Sequence, residues 1–259
     1  MSPNTLLGQQ VTSMEWMKTE IWPSVQPVLR ETGHAEYPYA ISGGTIFLAA
    51  YQGRGLAITA RHALLPLTSI CLFSSDSSQR ILPLENVFYV TPEKIDDDFA
   101  DFAIIEMDMR KLVGDSDFAS LKLIDLEKVS GDWLDSSSEA VFLVLGYPLE
   151  HSELQFTERS ITTPRFVLRG SYKGVSEYSS SVHIIELSKI YGITDFNGFS
   201  GGPVFAFLPN DANPQKVFLC GMAIRGSSSS GLIHFLELGV ILAGIQVKPA
   251  PYNVVRKRA

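Results

Sequence analysis

The sequence predicts an all-β protein built as two six-stranded antiparallel β-barrels. Two observations carry this expectation. From residue 39 onward, short runs rich in β-branched and aromatic residues recur, divided by clusters of Gly, Pro, Ser and Asp; helical segments between the strands, which a parallel α/β fold needs, are mostly missing. The runs also fall into two groups of roughly six, split by the loop-like stretch GDWLDSSSE at 131–139, and many short evenly spaced strands suit barrels or sandwiches.

Taken in order, residues 1–38 form an N-terminal strap. Met14, Met17 and Ile21 stand near a helical period that Pro23 and Pro27 interrupt, so a helix of two or three turns and then an extended stretch are expected. Residues 39–130 form the first barrel, with strands near YAISGGTIFLAAY, GLAITA, SICLFSS, NVFYV and DFAIIEM. Residues 131–139 are the linker. Residues 140–248 form the second barrel, from VFLVLGY, RFVLRGSYK, HIIELS, GPVFAFL, KVFLCGMAI and GLIHFL. It closes on a C-terminal helix, because Leu238, Ile241, Leu242 and Ile245 return to helical spacing. Residues 249–259, ending in the basic RKRA, read as a solvated tail.

Composition narrows the function classes. The 259 residues, 45% hydrophobic, suffice for a sizeable core. With 21 Lys and Arg against 28 Asp and Glu, the net charge of −7 gives no basic excess for non-specific nucleic-acid binding. Two cysteines, Cys71 and Cys220, make no disulfide framework and read as buried hydrophobes, which favours a reducing, cytoplasmic setting. The start lacks the basic and apolar regions of a signal peptide, and the apolar runs are too short to cross a bilayer, so no membrane role is expected. The five histidines are scattered and neither CxxC nor HExxH occurs, so no metal and no cofactor are expected.

Three places could do chemistry. His62, at the end of the strand GLAITA, can project into a cleft and exchange a proton near neutral pH. Asp101 heads the apolar strand FAIIEM, where a partly buried carboxylate needs a donor such as a histidine Nδ1–H; Asp96, Asp97 and Asp98 do not head it directly. Ser200 sits in Asn197-Gly198-Phe199-Ser200-Gly201-Gly202-Pro203, where flanking glycines permit a sharp turn and the N–H groups of Gly198 and Ser200 can form an oxyanion hole. Each alone has a plainer reading: a hydrogen-bonded structural histidine, a solvated turn aspartate, a Gly-rich turn. Together, in the order His62, Asp101, Ser200, with the first two in one strand group and the third in the other, they place a triad between two barrels.

On these residues the chain resembles the chymotrypsin-like (trypsin-like) serine peptidases. TARHAL matches the family's TAxH segment, ADFAIIEM its aspartate-headed strand, and GFSGGPVF its GxSGGP turn; the likeness covers about residues 39–246. SGGTIFLAAYQGRGLAITA resembles the hairpin leading to the histidine, VLGYP the start of the second barrel in bacterial-type members, and CGMAIRG the strand that binds the substrate backbone. An α/β-hydrolase reading of GxSxG is disfavoured, because that fold orders Ser, acid, His and follows the Ser with a helix. The resemblance implies peptide hydrolysis with Ser200 as nucleophile, His62 as base and acid, and Asp101 as its orienter.

Two departures stand out. Members activated by a new N-terminus carry an Asp directly before the Ser; here it is Phe199, and the family's secreted disulfides are absent. Both resemble the intracellular bacterial-type branch. The resemblance puts the specificity pocket's base at Thr194, or at Asp195 with a one-residue slip, and its wall at Ala223, Ile224, Arg225 and Gly226, with a small or apolar substrate residue expected. It implies a narrow range on a protein or peptide substrate, control by an activating protein partner or a gated site switched at 195–199, and, by analogy, a stress or anti-phage (antiviral defence) pathway. The competing reading is a peptidase-like binding module holding a peptide on the 223–226 strand. His34, His151, His183 and His234 read as structural or surface residues.

Overall fold

The computed structural model describes residues 17–64, 70–72, 81–89, 98–112, 118, 121–155, 157–158, 160–188, 192–208, 216–247 and 252–253. Met14, Asp96, Asp97, the flanks of the SICLFSS run and the RKRA tail lie outside them.

The first half folds as strands β1 (Val25–Glu31), β2 (Tyr39–Tyr51), β3 (Arg54–Thr59), β4 (Ile70–Cys71), β5 (Leu84–Tyr89), β6 (Ala103–Met107) and β7 (Ile124–Asp125). After a three-residue 3₁₀ turn at Leu134–Ser136, the second half forms β8 (Val141–Gly146), a short hairpin β9 (Glu153–Gln155) and β10 (Ser160–Thr162), then β11 (Phe166–Ser176), β12 (Ser179–Leu187), β13 (Pro203–Phe207), β14 (Val217–Ser227) and β15 (Leu232–Glu237). Helix Leu238–Val247 follows, and β16 (Tyr252–Asn253) pairs antiparallel with β5.

Strands β8 and β11 to β15 close as a six-stranded barrel in the order β11-β12-β15-β14-β13-β8, as the sequence predicts for the second half. The first sheet differs from the expected six-stranded barrel. Among the described residues it holds eight strands in the order β16-β5-β6-β3-β2-β1-β4, with β7 parallel to β2.

The extra strands come from the flanks. VQPVLRE in the strap is β1, paired along β2, and its register shifts between Pro27 and Leu29. A bulge is where a strand tolerates proline. Among the described residues, the helical part of the strap is one π turn at Met17–Ile21, then a 3₁₀ turn at Trp22–Ser24 with Pro23 at its start; residues 13–16 of the expected helix lie outside them. Met17 and Ile21 are buried, so the spacing marks the inward face.

One apolar cluster joins the two halves, with Phe47, Ile58 and Ile104 of the first sheet and Leu145, Phe205 and Met222 of the barrel. The closing helix buries Leu238, Ile241 and Ile245, and it belongs to the same cluster as Phe102, next to Asp101. Burial of this size is what holds the facing edges of the two halves at fixed separation.

Candidate active site

Register brings the first two residues together. β3 and β6 are antiparallel neighbours with Thr59 opposite Ala103, so the chain leaving β3 meets the chain entering β6. His62 stands on the 3₁₀ turn Arg61–Leu64 after β3, and Asp101 stands just before β6. His62 Nδ1 lies 2.7 Å from Asp101 Oδ2, and the His62 backbone N–H donates to Asp101 Oδ1 at 3.1 Å. One carboxylate thus holds both the ring and the backbone of the histidine. With the proton on Nδ1, Nε2 is left as an acceptor. Asp98 makes no such contact; it forms an ion pair with Arg225.

Ser200 is set by both halves. The Gly201 N–H donates to the Ala223 carbonyl at 2.7 Å, and the Ala223 N–H to the Gly202 carbonyl at 2.8 Å, which lays the turn on β14. The Thr45 N–H of β2 donates to the Ser200 carbonyl at 2.8 Å. The Ser200 hydroxyl donates to the Ile224 carbonyl at 3.2 Å. His62, Asp98, Asp101, Asn197, Ser200 and Arg225 share one cleft of about 310 Å³, walled further by Phe196, Ile224 and Gly226.

The turn before Ser200 has a defined peptide orientation. The Asn197 carbonyl accepts from the Leu149 N–H at 2.8 Å, and the Gly198 carbonyl accepts from the buried Thr45 hydroxyl at 2.5 Å. A trans peptide points its N–H opposite its carbonyl, so the Gly198 N–H faces away from Leu149. Among the described residues, neither the Gly198 nor the Ser200 N–H donates to a backbone carbonyl.

Gly198 has φ +102°, and a Cβ there would lie 2.1 Å from the Tyr147 carbonyl oxygen. We expect Gly198→Ala to displace this peptide and lower any turnover at Ser200 by about 10²–10³-fold, the scale of one lost oxyanion donor. Steady-state kinetics beside a melting curve checks it.

The expected pocket residues divide. Ile224, Arg225 and Gly226 line the cleft. Ala223 is 1% exposed and engaged through its backbone. Thr194 and Asp195 are not among the lining residues. The Thr194 N–H and hydroxyl both go to Glu150, and the Asp195 carboxylate accepts from the Asn197 N–H at 3.0 Å and Nδ2 at 2.5 Å. Phe196 takes the space instead: a Cβ on Gly226 would lie 2.7 Å from its ring. Phe199 is 2% exposed and meets Phe196 edge to face, so the position before Ser200 is apolar core.

Thr45, Glu150 and Phe196 escaped sequence reasoning. A threonine heading the apolar run IFLAAY hinted at a buried hydroxyl, but its partners lie in the other half. Nothing local marks Glu150.

The remaining histidines stay out of the cleft lining. His183 is buried with Nδ1 2.9 Å from the Tyr172 hydroxyl, and His34 is exposed and stacked on Tyr37. His151 stacks on Phe166, and burial is the main cause lowering the pKa of His234. Both cysteines are buried, and burial pushes the Cys220 thiol well up, away from reactivity. No group of three or more potential metal ligands occurs among the described residues.

No family model and no curated protein matches the sequence. Solved structures do match. Human heparin binding protein aligns with a TM-score of 0.57 at 12% identity, over 89% of this chain and 94% of that one. A Glu endopeptidase aligns with a TM-score of 0.51 at 14% identity, over 89% and 92%. The chain has the chymotrypsin-like fold. The Vibrio cholerae VesB protease aligns with a TM-score of 0.52 at 14% identity, over 87% of this chain and 63% of that one. In the chymotrypsin-like fold described above, the cleft with His62, Asp101 and Ser200 draws on both the first sheet and the closed barrel.

Proposed function

We propose that the protein is a serine endopeptidase working through His62, Asp101 and Ser200. The observation that carries this reading is the Asp101 carboxylate at 2.7 Å from His62 Nδ1, in one cleft with Ser200. His62 Nε2 takes the proton of Ser200 Oγ as that oxygen attacks a peptide carbonyl. Asp101 fixes the tautomer and stabilises the imidazolium, and the N–H groups of Gly198 and Ser200 receive the oxyanion. His62 then protonates the leaving amine; water, activated by His62, releases the acyl group.

Phe196 against Gly226 supports a small substrate side chain beside Ser200. Two buried thiols suit a reducing, cytoplasmic compartment, and a narrow range on a partner protein suits a peptidase working there. A bacterial stress or anti-phage setting is part of this proposal by family analogy alone.

A second reading has one observation in its favour: the Ser200 hydroxyl is bonded to Ile224 rather than to His62. On that reading the cleft holds a partner peptide along 223–226 without efficient cleavage. A proteome-derived peptide library separates the two. The peptidase reading expects new termini with the wild-type protein and none with Ser200→Ala. Peptides retained uncut by folded wild-type protein would favour the binding module.

A further inference from the structure

The turn that carries the Gly198 N–H is gripped from outside by three consecutive residues, Leu149, Glu150 and His151, which form one 3₁₀ turn after β8. Glu150 Oε1 accepts the Thr194 N–H at 2.7 Å and the Asp195 N–H at 3.4 Å, and Glu150 Oε2 accepts the Thr194 hydroxyl at 2.5 Å. On one side of it, the Leu149 N–H donates to the Asn197 carbonyl at 2.8 Å. On the other, His151 Nε2 lies 2.5 Å from the Gly192 carbonyl oxygen. The grip therefore spans Gly192 to Asn197, ending at the peptide whose orientation decides where the Gly198 N–H points.

We propose that Glu150 is a positioning residue that keeps the 192–198 loop in its oxyanion-binding form, so that the loop is ordered within this chain and without a new N-terminus. This rests on the peptidase reading above. Phe199 makes such a device necessary: buried in apolar surroundings, it offers no carboxylate to anchor the loop from beneath. A carboxylate suits the task because its two oxygens accept three donors at once, and bonds to an ionised acceptor are the stronger kind. The Thr194 hydroxyl bond is the main cause holding the Glu150 carboxyl below the usual range, with the neighbouring His151 adding to it. A depressed folded-state pKa keeps the grip intact at neutral pH and releases it only as pH falls through that value.

Glu150→Ala and Glu150→Gln test this through two readouts. The first is the rate at which a fluorophosphonate modifies Ser200, with kcat and KM on a cleaved peptide. Glu150→Ala should slow modification and kcat by about 10–100-fold while KM moves little, since loss of an oxyanion donor acts on the transition state. Glu150→Gln should fall between, because its carbonyl still accepts the Thr194 N–H while its amide cannot accept the hydroxyl. The second readout is amide hydrogen exchange over 192–198, independent of any activity; Glu150→Ala should exchange faster there and at the wild-type rate in the barrel strands. Modification at the wild-type rate in Glu150→Ala would overturn the proposal, as would unchanged exchange. If Glu150→Ala fails to fold, wild-type behaviour of Glu150→Gln in both readouts overturns it equally. A wild-type protein that never reacts would sink the peptidase reading and with it the oxyanion part of the proposal; faster exchange in Glu150→Ala would then show only that Glu150 orders the 192–198 loop.

Discussion

Ser200→Ala leaves the fold intact and lowers peptide cleavage by about 10⁴-fold or more, the scale seen when one member of a serine triad is removed. The fold should survive because the turn is held by backbone: the Gly201 N–H to Ala223, the Ala223 N–H to Gly202, and the Thr45 N–H to the Ser200 carbonyl. Among the described residues, the side-chain bond lost is the one to the Ile224 carbonyl. An unchanged melting temperature with cleavage gone from a peptide the wild type cuts is the expected pair of results. Retention of most of the activity would remove Ser200 from the mechanism.

Asp101→Asn should cost about 10⁴-fold in kcat, again with little change in stability. The reason lies in the two bonds this carboxylate makes. Its Oδ1 accepts the His62 backbone N–H, and Oδ2 faces the ring Nδ1. An amide has one acceptor oxygen. If that oxygen serves the backbone N–H, the NH₂ group faces Nδ1 and forces the ring proton onto Nε2, where it blocks uptake of the serine proton. Asp98→Asn is the control: Asp98 pairs with Arg225, and the same replacement there leaves the histidine tautomer alone. Comparison of kcat for the two variants checks the assignment.

The parts of this site legible in the sequence are those whose chemistry is local. His62 follows an apolar strand, Asp101 precedes one, and Ser200 lies among glycines, so each sits where a strand becomes a turn. The second-half strands were legible for the same reason, since β-branched and aromatic runs such as VFLVLG and PVFAF announce themselves. What stayed hidden depends on partners distant in sequence. VQPVLRE, legible only as an extended stretch after the strap's helical turn, becomes β1 because β2 offers it a long edge. The β9–β10 hairpin is polar and three residues to a strand, too short for a periodic pattern. Thr45 matters through the Gly198 carbonyl and the Tyr147 N–H, both about a hundred residues or more away. Pocket reasoning by position pointed to Thr194 and Asp195, yet their polar groups are spent on Glu150 and Asn197, and Phe196 lines the cleft in their place.

The central claim is that the chain as it stands carries a complete serine nucleophile site, with no cut needed to order it. Intact-mass and peptide-mapping mass spectrometry of full-length protein treated with a fluorophosphonate tests this most directly. The account predicts one adduct per chain, on Ser200, formed before any proteolysis and absent from His62→Ala. Folded full-length protein that stays unmodified until it is cut near residues 30–40 would contradict it, and would show that a new N-terminus orders the Gly198 turn despite Phe199.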